Sequence, residues 1–157
     1  MIKAIIPGSF DPVTAGHADL ARRSADLFGA AEILVMDNGA KSCTFTLEER
    51  EEIARAAFSD DPRITVKAFG GLLSEYVRSQ GGVIIKGVRS ASDFDYEYSL
   101  WEINRALENC ETVLLPAKNE LSFVSSTFVR ELIRYGRPLE PYVPAAAARV
   151  IARLLSR

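Results

Sequence analysis

Pro7-Gly8-Ser9-Phe10-Asp11-Pro12-Val13-Thr14-Ala15-Gly16-His17 follows a short apolar strand, Ile2 to Ile6, and opens a helix that runs on from about Ala18. A glycine-bearing turn between strand and helix lets backbone N–H groups approach a phosphate, where the helix N-terminus adds positive potential. His17 is the only histidine in the chain and falls in that first helical turn, directly after the small Gly16. A histidine at a helix start can simply be satisfied by the backbone. The strand–turn–helix context and the flanking Gly-Ser-Phe-Asp-Pro point instead to a phosphate-binding end.

Outward from this stretch, apolar runs alternate with helical patterns. Leu20, Ser24, Leu27 and Phe28 share a helix face at i, i+4, i+7 and i+8. Ile33–Met36, Ile64–Ala68, Val83–Ile85 and Thr112–Leu115 read as four further strands. Thr46-Leu47-Glu48-Glu49 is a capping box that starts a helix burying Leu47, Ile53, Ala54, Ala57 and Phe58. Leu73, Tyr76 and Val77 mark another helix. Ser92 and Asp95 resemble a second box, opening a helix to about Leu107. Ser125 to Tyr135 is helical, and Pro144 leads into a last helix with Val150, Ile151, Leu154 and Leu155. Five strands separated by helices imply parallel pairing through right-handed crossovers, hence a doubly wound α/β fold with C-terminal helices. Ligands of such sheets bind at the carboxyl ends of the strands, at the switch in strand order.

The 157 residues make one domain, residues 1–157, without repeats or linkers. A net charge of −2 excludes a general nucleic-acid binder, which carries a basic surplus, but leaves room for a local basic cluster. No run approaches the roughly 18 apolar residues of a membrane span, and the N-terminus enters a strand at once, so the chain reads as cytoplasmic. Cys43 and Cys110 form no metal-spaced pair and read as reduced thiols.

Two more segments sit at the same sheet edge. Ile85-Lys86-Gly87-Val88-Arg89 places two cations around a glycine after a buried strand, where Lys86 and Arg89 can clasp phosphates, Arg89 in bidentate fashion. Leu121-Ser122-Phe123-Val124-Ser125-Ser126-Thr127 offers hydroxyls and free N–H groups at a helix start; capping by Ser125 or Ser126 would use the same residues. Lys41 lies in the loop after the second strand. The helix from Ser92 carries two apolar stripes, Tyr96/Leu100/Ile103/Leu107 and Phe94/Tyr98/Trp101. One suffices for core packing, which leaves the other as a substrate wall or a subunit interface.

These motifs together resemble the bacterial-type phosphopantetheine adenylyltransferases of the nucleotidylyltransferase superfamily, almost end to end. The pattern P-G-[ST]-F-D-P-x-T-x-G-H is met by Pro7–His17, and a loop lysine followed by F-T-L-E-E-R by Lys41 and Phe45–Arg50. The pattern [RK]-G-x-R-x-x-x-D-F-x-Y-E is met by Lys86–Glu97, and S-F-[IV]-S-S-[ST] by Ser122–Thr127. The first motif marks the superfamily. The third separates this family from nicotinate mononucleotide adenylyltransferases and cytidylyltransferases.

The resemblance implies a Rossmann-like nucleotidylyltransferase fold and transfer of adenylyl from ATP, with Mg2+, to 4′-phosphopantetheine. It implies a homohexamer inhibited by coenzyme A. His17, Lys41 and Arg89 are implied as catalytic. ATP is implied to meet Ser9, Phe10, His17, Gly87, Val88, Arg89 and Glu97, with Leu121, Ser122, Phe123, Val124, Ser125, Ser126 and Thr127 around the triphosphate. Phosphopantetheine is implied to meet Ser9, Lys41 and Lys86 through its phosphate and Leu73, Leu100, Ile103 and Asn104 along its arm, with Glu131 and Arg134 as further contacts. Lys86 stands where arginine is usual, Ser9 where threonine is common, and the loop after Lys41 lacks a second lysine. The charge of His17 stays open, because the helix N-terminus disfavours the cation and a phosphate favours it. A pyridine-mononucleotide adenylyltransferase and a non-catalytic nucleotide sensor are the alternatives; a flavodoxin-like redox module leaves His17 unexplained.

Overall fold

The carboxyl ends of two neighbouring strands part company. The computed structural model describes residues 2–37, 39 and 42–157. Its strands are β1 (Lys3–Gly8), β2 (Ala31–Met36), β3 (Ile64–Phe69), β4 (Gly82–Val88) and β5 (Thr112–Pro116). Its helices are α1 (Ala15–Phe28), α2 (Leu47–Ala57), α3 (Leu73–Ser79), α4 (Ala91–Glu108), α5 (Ser126–Arg134) and α6 (Ala145–Leu155). The strands form one sheet in the order β3-β2-β1-β4-β5, with every pairing parallel. The chain walks outward from β1 to β3 and then returns to the other side of β1. The switch point therefore lies between β1 and β4.

Register shows how the gap opens. β1 pairs with β2 from Ala4↔Ala31 to Gly8↔Val35, but with β4 only over Lys3↔Gly82, Ala4↔Val83 and Ile5↔Ile84. Beyond Ile5 and Ile84 the two strands run on to Gly8 and Val88 without registering against each other. Pro7 contributes to this, since it has no N–H to give to a ladder.

Alternation along each strand sorts the core into two layers. Ala4, Ile6, Ile33, Val35, Val83 and Ile85 pack on one face with α1, α2, α5 and α6. Ile5, Leu34 and Ile84 pack on the other with Tyr76 and Val77 of α3 and Cys110. Helices thus cover both faces, as the doubly wound reading requires. Cys43 and Cys110 are both free.

Four local readings change. α1 starts at Ala15, three residues before the reading from Ala18, because Thr14 caps it. Leu27 does not join the inward face: it is exposed, while Ala18, Ala21 and Ala25 carry the contact with Leu20 and Ser24. α4 is capped by Ser90, whose hydroxyl accepts from the Asp93 N–H, and not by Ser92. Neither stripe of α4 is core. None of its 18 residues is buried, and Tyr96 and Ile103 of one stripe are as uncovered as Phe94 and Tyr98 of the other.

Candidate active site

α1 begins at the gap, and its cap fixes the histidine. The Thr14 backbone N–H donates to His17 Nδ1 at 3.0 Å, and the Thr14 hydroxyl accepts from the His17 backbone N–H at 3.3 Å. This is a capping box with histidine in the place usually held by glutamate. Because Nδ1 accepts a backbone proton, the neutral ring carries its own proton on Nε2. Burial, followed by the charges of Arg89 and Lys86, lowers the His17 pKa from 6.5 to about 4. Without a ligand the imidazole is therefore a neutral Nε2–H donor at physiological pH. Phe10 meets it edge-on, ring centroids 4.8 Å apart.

His17 lines a cleft of about 400 Å³, a volume suited to a small-molecule ligand. One wall is Ile6, Pro7 and Gly8 of β1; the facing wall is Ile85, Lys86 and Gly87 of β4. These are the residues beyond the last paired registers. Each cation of the cleft rests on a carboxylate. Lys86 Nζ donates to Glu97 at 3.2 Å and Arg89 Nε to Asp93 at 3.2 Å. Asp19 holds Lys118 at 2.7 Å and Arg23 at 3.3 Å, and its hydrogen bond raises the Lys118 pKa. A polyanion entering the cleft meets cations already aimed by their partners.

The third motif supplies the remaining rim. Ser125 caps α5, accepting from Phe128 N–H, which settles the choice between the two serines. Ser126 instead donates to the Pro12 carbonyl at 2.8 Å, and Arg130 donates to the Asp11 carbonyl at 2.8 Å. α5 is thereby fastened to the turn that precedes His17, with its free N–H groups at the cleft.

Of the residues expected at the site, Phe10, His17, Lys86, Gly87, Arg89, Glu97, Leu121, Val124, Ser125 and Ser126 line this cleft. Lys41 lies outside the described residues. Ser9, Val88, Ser122, Phe123 and Thr127 are neighbours whose side chains do not line it. Ser9 and Ser122 contribute carbonyls, accepting from Arg50 and Arg89, and Thr127 accepts from Arg130. Leu73 packs in the second core layer. Leu100, Ile103 and Asn104 lie along α4, and Glu131 and Arg134 on α5, all apart from the cleft. Sequence reading missed Thr14, Asp19, Arg23, Asp93 and Lys118. Thr14 was findable, had histidine been allowed at the third position of a capping box. Asp19, Arg23 and Lys118 carry no local signal, since only the fold brings α1 and the segment after β5 together.

The sequence has relatives among known proteins. Residues 5–132 match the cytidylyltransferase-like family. A phosphopantetheine adenylyltransferase of Symbiobacterium thermophilum is 46% identical over 95% of this chain and 93% of the relative. Proteins of the same name from Deinococcus radiodurans and Bordetella pertussis are 41% and 42% identical, over 97% and 91% of this chain and 93% and 86% of theirs. The chain belongs to the phosphopantetheine adenylyltransferase family. Among the described residues no helix is long and apolar enough to cross a membrane.

Proposed function

We propose that this protein transfers the adenylyl group of ATP to 4′-phosphopantetheine, giving dephospho-coenzyme A and pyrophosphate in coenzyme A biosynthesis. The observation that carries the reading is His17, its Nδ1 occupied by Thr14, in a cleft between the parted ends of β1 and β4 beside Lys86 and Arg89. A phosphate oxygen of the acceptor bonds to the α-phosphorus, the bridge from α- to β-phosphate breaks, and pyrophosphate leaves. The nucleophile is already an anion, so no general base is needed. Catalysis rests on in-line positioning and on stabilising the α-phosphate oxygens. His17 donates from Nε2 to those oxygens.

Lys86 and Lys41 hold the acceptor phosphate. Arg89 and the α5 N-terminus, with Ser125 and Ser126, hold the β- and γ-phosphates. Gly87 and Glu97 border the nucleotide. Mg2+ comes as part of the ATP substrate. Coenzyme A shares the pantetheine arm and competes for the same site. The uncovered α4, with Phe94, Tyr96, Tyr98, Ile103 and Leu107 each about half exposed or more, is the face on which copies assemble, six to a particle. The place of action is the cytoplasm.

The test is pyrophosphate release from MgATP with 4′-phosphopantetheine, beside nicotinate mononucleotide and glycerol 3-phosphate. Release with phosphopantetheine alone supports the proposal. Release with another acceptor moves the protein elsewhere in the superfamily, and ATP binding without release makes it a sensor.

A further inference from the structure

Arg50, the last residue of the Phe45–Arg50 motif, is 3% exposed, and among the described residues no carboxylate lies within ion-pair reach of it. A buried guanidinium is costly unless its donors are met. Here three of its five N–H donors are met by carbonyls from three segments. Nε donates to Phe45 O at 3.2 Å, and Nη1 donates to Ser9 O at 2.6 Å and to Met36 O at 2.9 Å. Phe45 begins the approach to α2, Met36 ends β2, and Ser9 precedes Phe10.

Phe10 is the place where this matters. Its φ is +46°, the left-handed region that costs a side-chain-bearing residue and persists only where the surroundings impose it. Both flanks are imposed. On one side the Ser9 carbonyl is held by Arg50. On the other, the buried Asp11 carboxylate accepts from Thr44 N–H at 2.8 Å and Phe45 N–H at 3.0 Å. The ring so placed lies against Gly8 on one side, where an added Cβ would stand 3.1 Å from it, and edge-on to His17.

We propose that Arg50 is a positioning residue for adenylyl transfer: it holds the Ser9 carbonyl so that Phe10 keeps its left-handed conformation and its ring keeps the His17 imidazole turned into the cleft. Arg50 touches neither substrate and acts through Phe10. The inference rests on the catalytic reading of His17 given above, and its physical core, the link from Arg50 to the imidazole, can be read without turnover.

The experiment is Arg50→Lys in protein labelled with 15N-histidine, where His17 gives the only imidazole signals. Lysine keeps the charge but loses the fork that reaches three carbonyls at once. The variant should fold, lose about tenfold or more in kcat with the KM for ATP changed less than about threefold, and show the His17 pKa rising from about 4 toward 6.5 as water reaches the ring. A folded variant with normal kcat and unmoved imidazole signals overturns the proposal. If Arg50→Lys does not fold, Gly8→Ala tests the second half of the link, from Phe10 to His17, because its methyl stands 3.1 Å from the Phe10 ring and presses on it while Arg50 stays intact. The same slowed kcat and shifted His17 signals then support the proposal, and normal values of both overturn it. Failure of the adenylyltransferase reading looks different: the wild-type protein releases no pyrophosphate, while its His17 signals still answer to Arg50 and Gly8.

Discussion

Thr14 and His17 cap each other: the Thr14 N–H donates to His17 Nδ1 at 3.0 Å, and the His17 N–H donates to the Thr14 hydroxyl at 3.3 Å. The motif spacing of three residues, needed to close a capping box, is the same spacing that selects the tautomer of the imidazole. One local structure therefore starts the helix and prepares the donor.

His17→Gln keeps a hydrogen-bond donor on a side chain without the imidazole geometry, and His17→Ala removes the donor. His17→Ala should lower kcat on the order of 10²–10³-fold, the usual worth of one preorganised donor, with little change in KM for either substrate. His17→Gln should fall between it and the wild type. Steady-state kinetics of pyrophosphate release checks this, and near-normal turnover by the alanine variant would remove His17 from the mechanism.

The lowered His17 pKa has a sign that stability measurements can read. The native state leaves His17 neutral down to about pH 4, while the unfolded chain protonates it near 6.5. Between those values the unfolded state binds the extra proton, so stability is full above pH 6.5 and is lost as the pH falls toward 4, by up to about 3 kcal/mol. Urea unfolding at pH 7 and pH 4.5 should show this loss in the wild type and less of it in His17→Gln. For the same reason the rate profile of the free enzyme should carry no His17 inflection near 6.5.

Lys86 contacts Glu97 through a single Nζ–Oε1 hydrogen bond of 3.2 Å. An arginine there could keep Glu97 on one edge of its fork and present the other to a phosphate. Lys86→Arg should lower the KM for 4′-phosphopantetheine by about threefold to tenfold and leave kcat nearly unchanged. An unchanged or raised KM would mean that Lys86 does not meet the acceptor phosphate.

α4 buries none of its residues within the protomer, so its outward apolar positions can be changed without breaking the core. Ile103→Glu and Tyr98→Glu should leave the circular dichroism spectrum unchanged and reduce the particle mass in size-exclusion chromatography with light scattering. A wild-type protein that is monomeric at micromolar concentration would count against assembly through this helix.

The order of strands and helices, the turn from β1 into α1 and the cation pair after β4 were legible in the residues. They are local: period-two apolar runs, a glycine turn before a helix and a Lys-Gly-x-Arg after a strand keep their meaning wherever they are placed. Leu27 shows where periodicity fails, since it has the right spacing for the inward face of α1 and yet lies 65% exposed, while Ala18, Ala21 and Ala25 make that contact. Ser92 shows a second limit, because Ser90, two residues earlier, offers the same capping chemistry and only the end of β4 decides between them.

What the tertiary structure alone decided is the set of long-range contacts. The parting of β1 and β4 after Ile5 and Ile84 makes the cleft, and no residue announces it except Pro7. The pairing of Asp19 with Lys118, the grip of Arg50 on Ser9 and Met36 and the neutral state of His17 depend on distances between segments remote in the chain. A sequence specifies which side chains can donate, accept or carry charge. Burial and electrostatic potential are sums over everything nearby, and they exist only once the chain has brought its neighbours together.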